Sequence, residues 1–395
     1  VTLGLLTVQH ALIHGQAALY PLVFLAIIDE FGVTPATIVI LATLGSISSG
    51  VLQYAFGVLT RWIGRPTMLG AGGLVVGTAM ALQSAVPAFL PFAALNITSR
   101  IGSAPQHPVG NALLAEQFPM RRIGTAIAVH VAGGNVGTVV IGATSGLAIA
   151  TLGWRGAVLS LGLLTVVVAV VILGLVREHG RPGDGRGAGP VRDLYRRVLA
   201  DRDLRWLYTA AILGGGSRGL GVLNVFVPLY LHGVLGLDSA TIGAMYAVLL
   251  AASVPGPLVA GWLSDRVGRT PVIVATYVSG AASLCFFVLA GTNTTLLWVA
   301  ILLLSATSFV ESPQLQALLA DLTARPIRDA AYSTYFALAF GVGSLWGIVY
   351  SAVIDLGGTG QGLGLVFWIM AGASIAAAMA TLRIRIPPRG ETLAV

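Results

Sequence analysis

Lysine is missing from all 395 residues, so every one of the 22 basic side chains is an arginine. That absence excludes a phosphate-cradling G-x-x-x-x-G-K loop, and with it direct coupling to nucleotide hydrolysis by that device. Cysteine occurs once, at Cys285, so no internal disulfide forms. Charge is scarce as well. Only 9% of residues are charged against 56% hydrophobic, with mean hydropathy +0.88. A soluble domain carries about 25% charged residues, so the composition is that of a polytopic helical membrane protein. The formal net charge of +7 raises the question of nucleic acid. Nearly all of the arginines, however, fall in short loops between apolar runs, where they set topology and do not form a binding face. No signal-peptide pattern stands at Val1, and a chain beginning without methionine reads as trimmed.

Breaks at charged, proline and glycine residues divide the chain into spans at about 3–28, 36–60, 66–85, 88–117, 123–150, 154–176, 205–233, 238–263, 271–290, 295–322, 328–355 and 363–383. The expected fold is therefore all-α: twelve transmembrane helices in two six-helix bundles, 1–176 and 205–395, joined by a linker at 177–204. Part of that linker, VRDLYRRVLADRD, is basic and amphipathic and is expected on the membrane surface. Arg61, Arg65, Arg121, Arg122, the linker, Arg266, Arg269, Arg325, Arg328, Arg383, Arg385 and Arg389 all fall on one side. The opposite loops carry Arg155 with Asp29, Glu30, Asp238 and Asp355. Both termini are thus expected in the cytoplasm, in a bacterial-type inner membrane.

The halves repeat at an offset of about 205 residues. FGVTPATI (31–38) matches LGLDSATI (235–242), GVLTRWIGR (57–65) matches GWLSDRVGR (261–269), and HPVGNALLAE (107–116) matches SPQLQALLAD (312–321). Such a repeat places a ligand site between its copies near the membrane midplane. Three formally charged side chains lie deep in the apolar spans. Arg218 stands about 20 Å and Glu311 about 24 Å along their helices, and Arg100 lies in the outer half of the fourth span. A guanidinium at that depth costs at least a few kcal/mol without a partner. Glu311 is the one deep acid, so two arginines compete for it. Either an arginine awaits an anionic ligand, or Glu311 carries protons as Arg218 approaches and withdraws, or Arg218 and Glu311 form a fixed pair.

His10, His14, His107 and His130 fall at comparable depth in the first half, with His10 and His14 one turn apart. That spacing suits a metal, but no cysteine or deep carboxylate accompanies it, so no metal site is expected. His10, His14 and His107 are candidate ligand-binding residues, and His107 a proton relay. Pro105 and Pro108 are expected to break the fourth span beside His107, with Pro313 their counterpart in the repeat. Asn111 and Gln314 complete the polar candidates, and Tyr246 and Tyr335 are among the aromatic wall candidates.

GWLSDRVGR resembles the G-x-L-x-D-R-x-G-R signature of the major facilitator superfamily. The resemblance implies a secondary transporter in which two six-helix domains rock about a central site. It also implies a cytoplasmic latch of Gly261, Asp265, Arg266, Gly268 and Arg269, joined by Glu116 with Arg121 and Arg122 and by Asp321 with Arg325 and Arg328. In the first copy Arg61 stands where the family has aspartate, implying a differently wired latch. His10 in HALIH, Tyr20-Pro21, DEFGV at 29–33, the G-S-x-x-x-H-P run from Gly102 to Pro108 and GGNVG from Gly133 to Gly137 are similar to the fosmidomycin resistance group of bacterial exporters. This second resemblance implies a monomeric, proton-coupled drug exporter, an antiporter, for an organic anion or amphipathic compound, with no cofactor. His14 occupies the place of that group's acid in the first span, and Ile141-Gly142 that of its glycine-proline, which keeps proton-coupled uptake open. Lipid flipping, metal-ion transport, a membrane enzyme and a receptor are further alternatives.

Overall fold

The computed structural model describes residues 1–60, 62–118, 120–178, 191–323 and 327–385, and they are helical almost throughout. The elements are α1 (Thr2–Phe31), α2 (Pro35–Leu59), α3 (Arg65–Gln83), α4 (Phe89–Ser103), α5 (Gln106–Gln117), α6 (Met120–Leu175), α7 (Val191–Ala200), α8 (Arg202–Gly214), α9 (Asn224–Gly233), α10 (Ser239–Ala251), α11 (Pro255–Val267), α12 (Arg269–Ala290), α13 (Thr294–Ser308), α14 (Glu311–Leu322), α15 (Arg328–Phe336) and α16 (Trp346–Thr381). Among the described residues, seven stretches are long and apolar enough to cross a bilayer. They become eight when the bent pair Arg202–Ser217 and Gly219–Gly233 counts as one. A single crossing needs about 20 residues, so the 47-residue stretch Val129–Leu175 and the 52-residue Ala330–Thr381 are each too long for one. Both are broken at a glycine of positive φ, Gly153 and Gly358 (each φ 68°), a conformation that a side chain would strain.

Local chemistry explains where several helices start. Asp201 caps α8 by accepting from the amides of Asp203 and Leu204 at 2.9 and 2.8 Å. Asn293 caps α13 through Leu296. Asp238 caps α10 through the amides of Ala240 and Thr241 and the Thr241 hydroxyl. These donors, the hydroxyl foremost, hold the Asp238 carboxyl below its ordinary pKa. At Pro105 the missing N–H stops the α4 ladder, and α5 restarts one residue later with Pro108 in its first turn. The fourth span is therefore broken where the proline pair led us to expect.

Contacts divide the chain into two compact units. The first comprises Val1–Arg186 and Val227–Leu250, the second Gly187–Phe226 and Ala251–Val395. The expected bundle boundary at 177–204 is thus crossed by one segment of the second half, Val227–Leu250, that joins the first unit. There Tyr246 donates its hydroxyl to the Ala18 carbonyl at 2.7 Å. In the same unit a Cβ on Gly146 would come within 3.2 Å of the Gly243 Cα.

The first unit packs Leu19, Phe24, Ile27, Met80, Phe92 and Trp154 into one buried cluster. Glu30 at the end of α1 receives both the Trp154 indole N–H (2.7 Å) and Arg155 (2.7 Å), which fastens the chain just after the Gly153 break. Helix crossings are close. A Cβ on Gly137 would lie 2.1 Å from the Ala11 carbonyl oxygen, so α1 and α6 touch backbone to backbone there. The second unit has its own cluster, including Leu207, Tyr208, Leu315 and Leu318. The amphipathic α7 turns Val198 into it and leaves Arg196 and Arg197 exposed. Outward-facing Leu147, Leu258, Leu289 and Leu356 are the lipid-facing counterpart of these cores.

Gly137→Ala is expected to lower the melting temperature of the detergent-solubilised protein, by an overpacking cost of about 1–3 kcal/mol. Gly174→Ala has open space around its Cβ and is expected to be neutral or slightly stabilising. Equal melting curves for the two variants would contradict a backbone contact at Gly137.

Candidate functional site

In the first unit, α1, α4 and α5 carry most of the polar candidates. Gln16 donates to Ser99 Oγ at 2.6 Å, Tyr20 donates to Gln83 Oε1 at 2.7 Å, and Asn96 is buried beside them. Arg100 follows in the last turn of α4, partly exposed, with its stem against Gly45 of α2. Among the described residues no carboxylate lies within ion-pairing distance of its guanidinium. Asn111, one turn beyond His107, has a buried Oδ1 without a protein partner.

The four histidines, dispersed over 120 positions of sequence, meet in one cluster. Ring centroids of His10 lie 4.5 Å from His14, 4.9 Å from His107 and 4.3 Å from His130, and His14 lies 5.6 Å from His107. The 3.6-residue period predicts that His10 and His14 are neighbours. It contains nothing that brings α5 and α6 to them, which is a matter of tertiary packing.

In the second unit the chain is extended at Arg218 (φ −63°, ψ 138°), between a 3₁₀ turn at Gly215–Ser217 and a wide turn at Gly219–Leu223. Arg218 Nε donates to Glu311 Oε1 at 3.0 Å, Nη1 to the Ala339 carbonyl at 2.9 Å and Nη2 to the Ala211 carbonyl at 3.3 Å. Its guanidinium lies 4.3 Å over the Phe340 ring. The second carboxylate oxygen of Glu311 accepts the Tyr277 hydroxyl at 2.8 Å. Of the three readings open from sequence, this arrangement is the closed pair, with Arg218's donors turned to protein acceptors. Nothing in the sequence singles out Tyr277. Beside Glu311 and Tyr277 is a cavity of about 20 Å³, lined also by Ser217, Thr307 and Ser374, room for about one water. Gln314 is buried with Oε1 unpartnered. The aromatic candidates Tyr246 and Tyr335 are fully buried and serve as packing residues in place of a ligand-facing wall.

At the ends of the helices, Gly268 makes the expected tight turn (φ 100°). Arg269 then bridges Asp265 at 2.7 Å and Asp321 at 3.1 Å. Arg266 stacks over Trp262 at 3.7 Å and pairs with no acid among the described residues. Gly261 faces Gln314, with 3.8 Å left for a Cβ. In the first copy Arg65 is held by Glu178, through its backbone N–H at 2.9 Å and its guanidinium at 2.8 Å. Sequence reasoning does not find Glu178, because it lies 113 residues away, in the linker. Arg61, Arg325 and Arg389 lie outside the described residues, as do the side chains of Glu116, Arg121, Arg122 and Arg328.

The sequence profile of the Major Facilitator Superfamily matches residues 6–348 and 219–394. The chain belongs to the Major Facilitator Superfamily. It is a multi-pass membrane protein. It is 26% identical over 264 residues to the probable L-galactonate transporter of Escherichia coli K12, covering 63% of this chain and 58% of that one. It is also 26% identical over 210 residues to the cis,cis-muconate transport protein of Acinetobacter baylyi, covering 50% and 49%. The chain thus spans about half the length of these superfamily relatives. Its fold is similar to the nucleoside transporter NupG, with TM-score 0.80 and 13% identity over 97% of this chain and all of that one. It is also similar to a bacterial homolog of the human lysosomal transporter Spinster in an inward-facing, unoccupied conformation, with TM-score 0.73, 15% identity and 97% of both chains covered.

Removing one partner of a buried ion pair strands the other, so Arg218→Met or Glu311→Leu alone is expected to cost about 3–5 kcal/mol of stability. The double variant is expected to cost less than either single one. Unfolding measurements on the three variants in detergent check this, and additive costs would mean that the two groups do not interact.

Proposed function

We propose that this protein is a proton-coupled, alternating-access carrier for an organic anion of the carboxylate class. It works as a monomer with twelve spans in a bacterial inner membrane, and both termini are cytoplasmic. The observation that carries the reading is Arg100. A partly exposed guanidinium in a membrane bundle, with no carboxylate beside it among the described residues, is an anion site in search of its anion. The planar fork of arginine matches a carboxylate through two parallel hydrogen bonds. Asn111, in the same unit as Arg100 and with an unpartnered oxygen, is the proposed hydrogen-bonding contact for a substrate hydroxyl group. The relatives named for L-galactonate and cis,cis-muconate, both organic anions, support the same class.

Glu311 is the proposed proton carrier, and Arg218 its regulator rather than a substrate ligand. While the pair is closed, both carboxylate oxygens are occupied, one by Arg218 and one by Tyr277. A proton enters when Arg218 withdraws, which ties protonation to the conformational cycle. The latch of Arg269 with Asp265 and Asp321 and the bridge of Arg65 with Glu178 are proposed to hold one state of that cycle. Export follows from the likeness to the fosmidomycin resistance group. The second reading is symport, favoured by a specific residue, since His14 stands in place of the exporters' acid.

Proteoliposomes under a pH gradient separate the directions. An antiporter accumulates a labelled sugar acid or dicarboxylate on the acidic side, a symporter on the alkaline side. Arg100→Gln is expected to raise KM roughly 10- to 100-fold, the worth of one or two charge-assisted hydrogen bonds. Arg100→Lys is expected to recover part of that loss. Glu311→Gln is expected to abolish gradient-driven accumulation while retaining exchange. Transport of cations, or wild-type KM in Arg100→Gln, would overturn the anion site, and normal coupling in Glu311→Gln would overturn the proton assignment.

A further inference from the structure

The proposed transport cycle gives no role to the most unusual feature of the first unit, its four clustered histidines. One ring nitrogen from each of His10, His14 and His107 lies within 4.8 Å of the other two. Hydrogen bonds to two of the rings bear on which nitrogens are free to face inward. His10 Nδ1 is 2.8 Å from the His130 carbonyl, which can only accept, so Nδ1 carries the proton and Nε2 a lone pair. That Nε2 is buried and has no protein partner. Thr138 Oγ1 is shared between the Gly134 carbonyl (3.2 Å) and His14 Nδ1 (3.4 Å). With the hydroxyl proton on the carbonyl, the shorter of the two contacts, His14 Nδ1–H is the donor to the hydroxyl. This leaves His14 Nε2 as a second free lone pair.

The geometry points to a resident divalent transition-metal site, zinc by chemistry, with His10, His14 and His107 as its three ligands. Three imidazoles converging inside a bundle, one of them with a buried, unpartnered Nε2, are unfavourable unless something electrophilic sits among them. Neutral imidazoles with no carboxylate and no thiolate suit zinc and disfavour calcium and magnesium. The outer hydrogen bonds, one to a backbone carbonyl and one to a threonine, are of the kind that orients zinc-bound histidines. An ion about 2.0–2.1 Å from each nitrogen sets them about 3.4 Å apart, so movements of roughly 1 Å per ring close the site. Gly134 makes the room, since a Cβ there would lie 2.9–3.1 Å from the His10 ring. His130 stacks on His10 at 23° between planes, so its nitrogens do not converge on the same point, and it flanks the ion without binding it.

The missing acid that argued against a metal from sequence is replaced by a third histidine, delivered by α5 just past the Pro105 break. All four histidines belong to one unit, whereas superfamily cargo sites lie between repeats. The ion is therefore resident and ties α1 to the broken fourth span.

The test is equilibrium binding of Zn2+ and Co2+ to the full purified chain in detergent. One ion per chain is expected, with the intense visible bands of four-coordinate Co2+. His14→Gln and His107→Gln are each expected to weaken binding at least tenfold, while His232→Gln, outside the cluster, leaves it unchanged. Thr138→Val, which removes no ligand, is expected to shift the Co2+ spectrum and weaken binding about 10- to 100-fold as a positioning residue. Absence of stoichiometric binding to the wild-type chain would overturn the site, as would unchanged affinity in both ligand variants. Zinc retained by the protein in proteoliposomes is expected, and zinc flux across them would overturn the resident assignment.

Discussion

A charge or lone pair held in hydrocarbon must find its partner within the protein, because the bilayer core offers no water to solvate it. The second unit meets that demand at Arg218. Its guanidinium is matched to Glu311, two carbonyls and an aromatic face, and Tyr277 completes the carboxylate. The donor and one of those acceptors lie where helices are interrupted. The chain is extended at Arg218 itself, and Ala339 lies in a wide turn at Ala337–Gly341. Breaks in helices that would be faults in a soluble bundle here bring backbone oxygens to a buried charge.

The first unit leaves the same demand open. Arg100 has a hydrophobic neighbour in Gly45 and polar ones along α1 and α4, but no carboxylate among the described residues. The histidine cluster next to it holds unpartnered nitrogens. An unbalanced interior of this kind is unfavourable on its own and favourable once a ligand of the right chemistry arrives, which is the physical content of a binding site. The two repeats differ in this respect: one copy closes on itself, and the other leaves Arg100 without a carboxylate among the described residues.

The helices and their punctuation are readable from the chain alone. Runs of apolar residues, the glycine turns, the proline break at 105 and the asparagine and aspartate caps are local effects, and local effects are written in neighbouring residues. The Arg269 bridge to Asp265 is also accessible, since both lie in the superfamily signature, whereas its bridge to Asp321, outside that signature, is not. Glu178 is not, because its partner Arg65 is far away in sequence and nothing in the linker distinguishes one acid from another. Tyr277 and the stacking of His130 escape for the same reason. A tyrosine in an apolar helix looks like packing until the opposite helix proves to carry a buried carboxylate.

Membrane insertion, the repeat, the superfamily and the short list of deep charged residues were thus determined by the sequence itself, because hydropathy and motif spacing are one-dimensional properties. Which of those residues meet was decided only by tertiary structure. Arg218 and Glu311 are 93 residues apart, and His10 and His130 are 120 apart. Their contacts depend on crossings where glycine lets two backbones touch, as at Gly137 and Ala11. The same crossings leave Arg100 without a protein counter-ion among the described residues. A crossing is a property of two helices together, and neither helix's sequence contains it.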